Sequence, residues 1–132
     1  MNSELFDQII AESKVQYGNT IQNKSYKFAV RIVKFYKIKS KEHDSVKPLL
    51  IQLLRSGTSI GANVSEAQSA SSKKDFIHKL TTAQKEARES LYWIRLLFDS
   101  EEINENEYKS LFEDSEELVK ILSSILKSLT NS

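Results

Sequence analysis

Two residue pairs in this chain have the spacing of metal ligands. Asp75 and His78 make one Asp-x-x-His, and Glu86 and Glu89 make one Glu-x-x-Glu. On a helix each pair shares a face, and carboxylate and imidazole are donors that hold divalent ions. A di-metal helical bundle, however, draws on two Glu-x-x-His motifs with further glutamates, and the sequence contains no Glu-x-x-His. The second histidine, His43, sits in the charged run KSKEHDS. No Arg precedes either histidine by four to six residues, as all-helical ribonucleases require, and no serine has a His and an acid at an obvious spacing. Cysteine is absent, which removes thiolate nucleophiles, cysteine zinc sites and disulfides. The residues therefore predict a protein that is not an enzyme, with no catalytic residue, no metal and no cofactor.

Charge is the other chemistry on offer. The net charge is only +1, but residues 13–41 carry eight Lys/Arg and no acid, while residues 99–132 carry nine Asp/Glu against three Lys. Such polarity can hold a polyanion at one end, or let the two ends attract each other within a chain or between subunits. Lys24, Lys27, Arg31 and Lys34 fall on one side of a helical projection. Farther along, Lys74, Lys85, Arg88 and Tyr92 fall within one sector of another helix. A basic patch with an aromatic binds phosphate and can stack a base, and phosphate contacts alone carry no sequence specificity. These eight residues are the expected nucleic-acid surface, for RNA or DNA. A protein–protein scaffold, with the acidic fourth helix docking a basic partner, is the alternative.

The elements that position these side chains are helices. No period-2 strand pattern of useful length occurs, and four helical patterns do. The first is expected at about 20–40, with Tyr26, Ala29, Ile32, Val33 and Tyr36 inward. The second runs to about 69, with Asp44 or Ser45 as its cap and Pro48 in its first turn. The third is expected at about 73–99, opened by Ser72 and Asp75, and the fourth at about 105–129, opened by Asn104 and Glu107. Short connectors make neighbours antiparallel, giving an all-α, up-down four-helix bundle over residues 20–132. Residues 1–19 are expected as a short N-terminal arm, helical or flexible, with Leu5, Phe6, Ile9 and Ile10 on one side. The start "MNSELFDQIIAESK" has an acid at position 4 and no long apolar run. It reads as neither signal peptide nor membrane span, so a cytoplasmic protein with no membrane partner is expected.

One stretch resists a propensity reading. "LLRSGTSIGANVSEA", residues 53–67, lies on the apolar stripe of the second helix yet holds Gly57 and Gly61. Each glycine costs about 1 kcal/mol against alanine in a helix interior. Glycines four apart on one face let a neighbouring helix approach closely, and Ala83 and Ala87 of the third helix have the matching spacing. Arg55, Ser59, Asn63 and Glu66 form the next face round or its border, suited to a polar contact with another chain or a ligand. A structural hydrogen bond is the expected role of Asn63. Phe28, Phe35 and Trp93 lie off the main stripes and are expected at a subunit interface, where aromatics are enriched.

The same stretch carries a resemblance. Gln52, Leu53, Arg55, Ser56, Ser59, Ile60, Ala62, Asn63, Val64, Ser65 and Glu66 follow the second-helix pattern of the bacterial 23S rRNA intervening-sequence proteins. Lys85, Glu86, Ala87, Glu89, Ser90, Leu91, Tyr92 and Trp93 follow its third-helix phrase. The chain resembles that family over about 24–129, departing from it at Ala67, where a Gly is usual. The resemblance implies a four-helix bundle that assembles as a homo-oligomer, often a pentamer. It also implies kinship with an accessory protein of diversity-generating retroelements that is thought to bind nucleic acid and a reverse transcriptase. It implies no catalytic activity.

Overall fold

The computed structural model describes residues 19–131, and the expected arm lies outside these but for Asn19. Four helices follow one another: α1 (Asn19–Glu42), α2 (Lys47–Ala67), α3 (Lys73–Asp99) and α4 (Glu105–Thr130), with a 3-10 turn at Asp44–Val46 between α1 and α2. This is the antiparallel four-helix bundle the spacing predicts. Consecutive helices pack closely, whereas α1 and α4 meet more sparsely. α1 starts inside the stretch YGNT, and the residue at the N-cap of α2 is Val46, with no side-chain cap. Neither Asp44 nor Ser45 caps α2; both lie in the 3-10 turn, while Pro48 stands at the start of the helix as expected.

The other two starts are capped. Asn104 accepts from the Glu107 N–H at 2.8 Å, and Glu107 reaches back to the Asn104 N–H at 3.0 Å. Ser72 accepts from the Asp75 N–H at 3.0 Å, while Asp75 turns to the N–H of Ser71 at 3.2 Å. Substituting such a cap costs about 1 kcal/mol. α3 ends in a left-handed residue, Glu101 (φ 66°), with the Glu102 N–H bonded to Leu97 O at 2.9 Å and the Glu101 N–H to Phe98 O at 3.0 Å. Two crossed bonds of this kind turn the chain sharply into α4.

The core is mostly aliphatic, drawn from all four helices, and includes Ile32, Leu53, Ile60, Ala83, Ala87, Ile94, Leu118 and Leu122. Within it α1 is rotated from the expected orientation. Ile21, Ser25, Phe28 and Ile32 point inward, at spacings of four, three and four, and Tyr26 is 70 % exposed. Phe28 therefore belongs to the chain's own core at 3 % exposure and has no area left for a subunit interface. The cause lies in α2. Its glycines face α1, not α3: a Cβ on Gly57 would stand 3.0 Å from Ile32 Cγ1, and one on Gly61 would stand 3.2 Å from the Ser25 carbonyl oxygen. α1 lies close to α2 here, with the small Ser25 opposite Gly61. The larger Tyr26 is turned outward, where its phenol stays in water.

Small residues line the remaining seams too. Ser56 and Ser90 share a hydrogen bond of 2.8 Å between α2 and α3, and Ser115 donates to Ala87 O at 3.0 Å between α4 and α3. Among the described residues the four fully buried polar ones are all serines, and each hydroxyl has a partner. That satisfies the requirement on buried polar groups. Ala83 and Ala87 sit in the core at 0 % exposure and are not the partners of the glycines.

Candidate nucleic-acid interface

The expected basic surface divides in two. On α1, Lys24 pairs with Glu117, and Arg31 pairs with Asp114 at 2.6 Å while also donating to the Ser110 hydroxyl at 2.7 Å. Further along, Lys39 lies between Glu107 at 2.9 Å and Glu42 at 3.7 Å. The basic run of the first helix thus meets the acidic run of the last one, which is the intramolecular outcome of the charge asymmetry. A groove of about 340 Å³ remains beneath these pairs, lined by Lys24, Lys27, Arg31, Asp114 and Glu117 over Phe28 and Leu118. Among the described residues Lys27 and Lys34 make no ion pair, and both are exposed. Burial pushes the Glu107 carboxyl upward, but the Asn104 N–H and Lys39 more than offset this and hold it below its ordinary 4.5.

α3 differs. Lys74, Lys85 and Arg88 are exposed and make no ion pair among the described residues. With 100° per residue the three cations and Tyr92 span an arc of about 60°. Tyr92 is 60 % exposed and rests edge-on against Trp93, with ring centroids 5.0 Å apart. Trp93 itself packs against the core, its indole nitrogen shielded from solvent. Phe35 is half-buried against the core in the same way. Among the described residues the exposed large apolar side chains are instead Tyr26, Val30, Ile38, Ile51 and Tyr92.

The ligand-spaced pairs have structural partners. Glu86 and Glu89 both engage Arg55 of α2, Glu86 at 3.2 Å. The hydrogen bond that Arg55 donates to Glu89 is the main reason its guanidinium is held above its ordinary value. Asp75 is occupied at the α3 start, and His78 is exposed one turn on. No group of three or more potential metal ligands occurs among the described residues.

The polar face of α2 is also engaged within the chain. Ser59 donates to Arg55 O at 2.6 Å, Asn63 donates to Ser59 O at 2.8 Å, and Glu66 accepts from Lys79 at 3.0 Å. The hydrogen bond to Glu66 raises the Lys79 ammonium above its usual value. The second-helix and third-helix phrases therefore meet: Gln52, Arg55 and Ser56 stand against Glu86, Glu89 and Ser90 as one α2–α3 seam.

A family model described as "23S rRNA-intervening sequence protein" matches residues 18–124. The chain belongs to that family. A solved structure agrees: the crystal structure of a protein of unknown function from the S23 ribosomal protein family of Bacteroides thetaiotaomicron VPI-5482 is 47 % identical. It superposes with a TM-score of 0.78, over 83 % of this chain and 97 % of that one. No curated protein matches the chain. The motif residues of α2 and α3 thus pair with each other inside the bundle. No described helix is long and apolar enough to cross a membrane.

Sequence reasoning missed three residues beside Tyr92: Arg95, Tyr108 and Phe112, which with Leu91 and Tyr92 line an opening of about 320 Å³. Arg95 was legible as the next basic position, three residues after Tyr92. The two α4 aromatics lie on the apolar side of their helix, half-buried against the core.

Proposed function

We propose that this protein is a non-enzymatic homo-oligomer that binds the backbone of RNA or DNA, chiefly through the outer face of α3. One observation carries the reading: Lys74, Lys85 and Arg88 share a sector, face solvent and have no acidic partner among the described residues. Cations held by carboxylates of their own chain must break those pairs before they meet phosphate. Free ones release only counterions. The contribution of α1 reduces to Lys27 and Lys34. Repetition of the α3 face around an oligomer multiplies a modest patch, despite the near-neutral chain. Self-association is the second half of the reading, supported by Tyr26, Val30, Ile38 and Ile51, whose exposure on α1 and α2 leaves apolar area to cover. Phe28 has no part in it.

The test is anisotropy of a labelled 20-mer oligonucleotide between 50 and 200 mM salt, with light scattering on the same sample. Three phosphate contacts per protomer give a log–log salt slope of about −2 on single strands. Absence of binding at 50 mM salt overturns the nucleic-acid reading and leaves the protein–protein scaffold. A monomer at micromolar concentration overturns self-association.

A further inference from the structure

We propose that the α3 face takes single-stranded nucleic acid, with one unstacked base seated in the opening between Tyr92 and the aromatics of α4. This rests on the nucleic-acid reading above and narrows its substrate class.

The opening beside the cations has the chemistry of a base pocket and not of a phosphate site. Its walls are Leu91, Tyr92, Tyr108 and Phe112, with one guanidinium, Arg95, at the edge. One wall is fixed in advance. Tyr108 stacks on Phe98 at 4.3 Å with an interplanar angle of 15°, and Phe112 lies 5.3 Å from Tyr108, tilted by 40°. Tyr92 adds an exposed wall and rests edge-on against Trp93. A wall that is already packed loses little freedom when a ring lands on it, which favours binding.

Arg95 is free to take part. Its contact with Asp99 is long, at 3.6 Å, and both side chains are largely exposed, so the pair is weak. A guanidinium released from it stacks on a base or meets a phosphate.

The neighbouring cations set the direction of the strand. Arg88 and Lys85 precede Tyr92 by four and seven residues, about 6 and 10.5 Å of helical rise. A base in the opening therefore leaves the phosphates on one side running along α3 over Arg88 and Lys85. In a duplex both faces of each base are stacked and its backbone alone is presented, so the aromatic walls would gain nothing. Single strands offer the π-face that such walls bind.

The experiment uses the full chain with three 20-mer probes, at one salt concentration: oligo-dT, the same strand carrying abasic sites, and a dT·dA duplex. Anisotropy gives affinity, and the emission of Trp93, the sole tryptophan, reports occupancy beside Tyr92. The expected result is oligo-dT at least tenfold tighter than duplex or abasic strand, with a Trp93 response to oligo-dT alone. Tyr92→Ala should lose about 5- to 150-fold on oligo-dT, and Tyr92→Phe should retain it. Equal affinity for all three probes, with Tyr92→Ala unchanged, overturns the base pocket while leaving a backbone site. No binding of any probe at 50 mM salt overturns the parent reading as well. A change of oligomer size in Tyr92→Ala assigns the opening to a subunit contact and overturns the proposal.

Discussion

α1 and α3 each carry a basic stripe, and the bundle treats the two differently. The stripe of α1 faces the α4 seam, where Glu117, Asp114 and Glu107 answer Lys24, Arg31 and Lys39. The cations of the α3 stripe are exposed, and no carboxylate reaches Lys74, Lys85 or Arg88 among the described residues. A run of like charge in a sequence thus has no fixed meaning. Its role depends on which helix the packing sets beside it, and here that is decided by glycine. Gly57 and Gly61 draw α1 against α2 and fix the rotation that turns Lys24 and Arg31 toward α4.

Removing that rotation is the strongest way to break the contrast. In Gly61→Leu the side chain would meet backbone of Ser25, which has no rotamer to yield. Overpacking of this kind costs about 3 kcal/mol, so the melting temperature should fall by about 10 °C. An unchanged melting curve would mean that the α1–α2 contact is looser than described. Gly57→Ala is a gentler probe: the methyl gains about 1 kcal/mol in helix propensity but meets Ile32 at 3.0 Å. Its net effect should be a smaller loss of stability, read by the same melt.

The next change sharpens the contrast. Asp114→Asn with Glu117→Gln frees Lys24 and Arg31 while keeping side-chain size. Both pairs are about half exposed, so stability should drop by less than about 1 kcal/mol for each. Affinity for an oligonucleotide should rise several-fold, because two more cations become available beside Lys27. Unchanged affinity in a titration at 50 mM salt would show that the α4 acids do not mask α1.

The smallest effect is a pH dependence at the end of the same seam. The Glu107 carboxyl is held below 4.5 in the fold by the Asn104 N–H and Lys39 against the opposing effect of burial. A depressed acid contributes stability above the unfolded value, and that contribution is lost as pH falls through the folded value. Glu107→Gln should therefore be less stable than the parent at pH 7, with the gap closing below about pH 4.5. Thermal melts of both proteins from pH 7 to pH 3 check this, and a constant gap would count against it.

The sequence made the four helices, their order and the capping box at Asn104 legible, because apolar period and cap chemistry are local signals. The rotation of α1 was not legible. Tyr26, Ala29, Val33 and Tyr36 make an attractive apolar arc, and nothing local says that Ser25 occupies the inner position instead. That choice comes from the closeness of the α2 backbone, a tertiary fact. The same limit applied to the candidate site. Arg55, Glu86 and Glu89 read as exposed polar groups or ligands until α2 and α3 were set side by side, when they became one ion-paired seam. The α3 cations were read correctly as one sector, since that depends on helical geometry alone. Their freedom from partners could not be read without the other three helices.

The most direct measurement of the central claim is a pair of charge-removal variants titrated side by side with a labelled oligonucleotide. One removes the α3 cations (Lys74→Gln, Lys85→Gln, Arg88→Gln) and the other the α1 stripe (Lys24→Gln, Lys27→Gln, Arg31→Gln). The α3 variant should bind at least tenfold more weakly at 100 mM salt, with a salt slope shallower by about 2, and should melt as the parent does. The α1 variant should lose at most a few-fold in affinity and show reduced stability. The reverse order, with binding lost from α1 and retained without the α3 cations, would contradict the account.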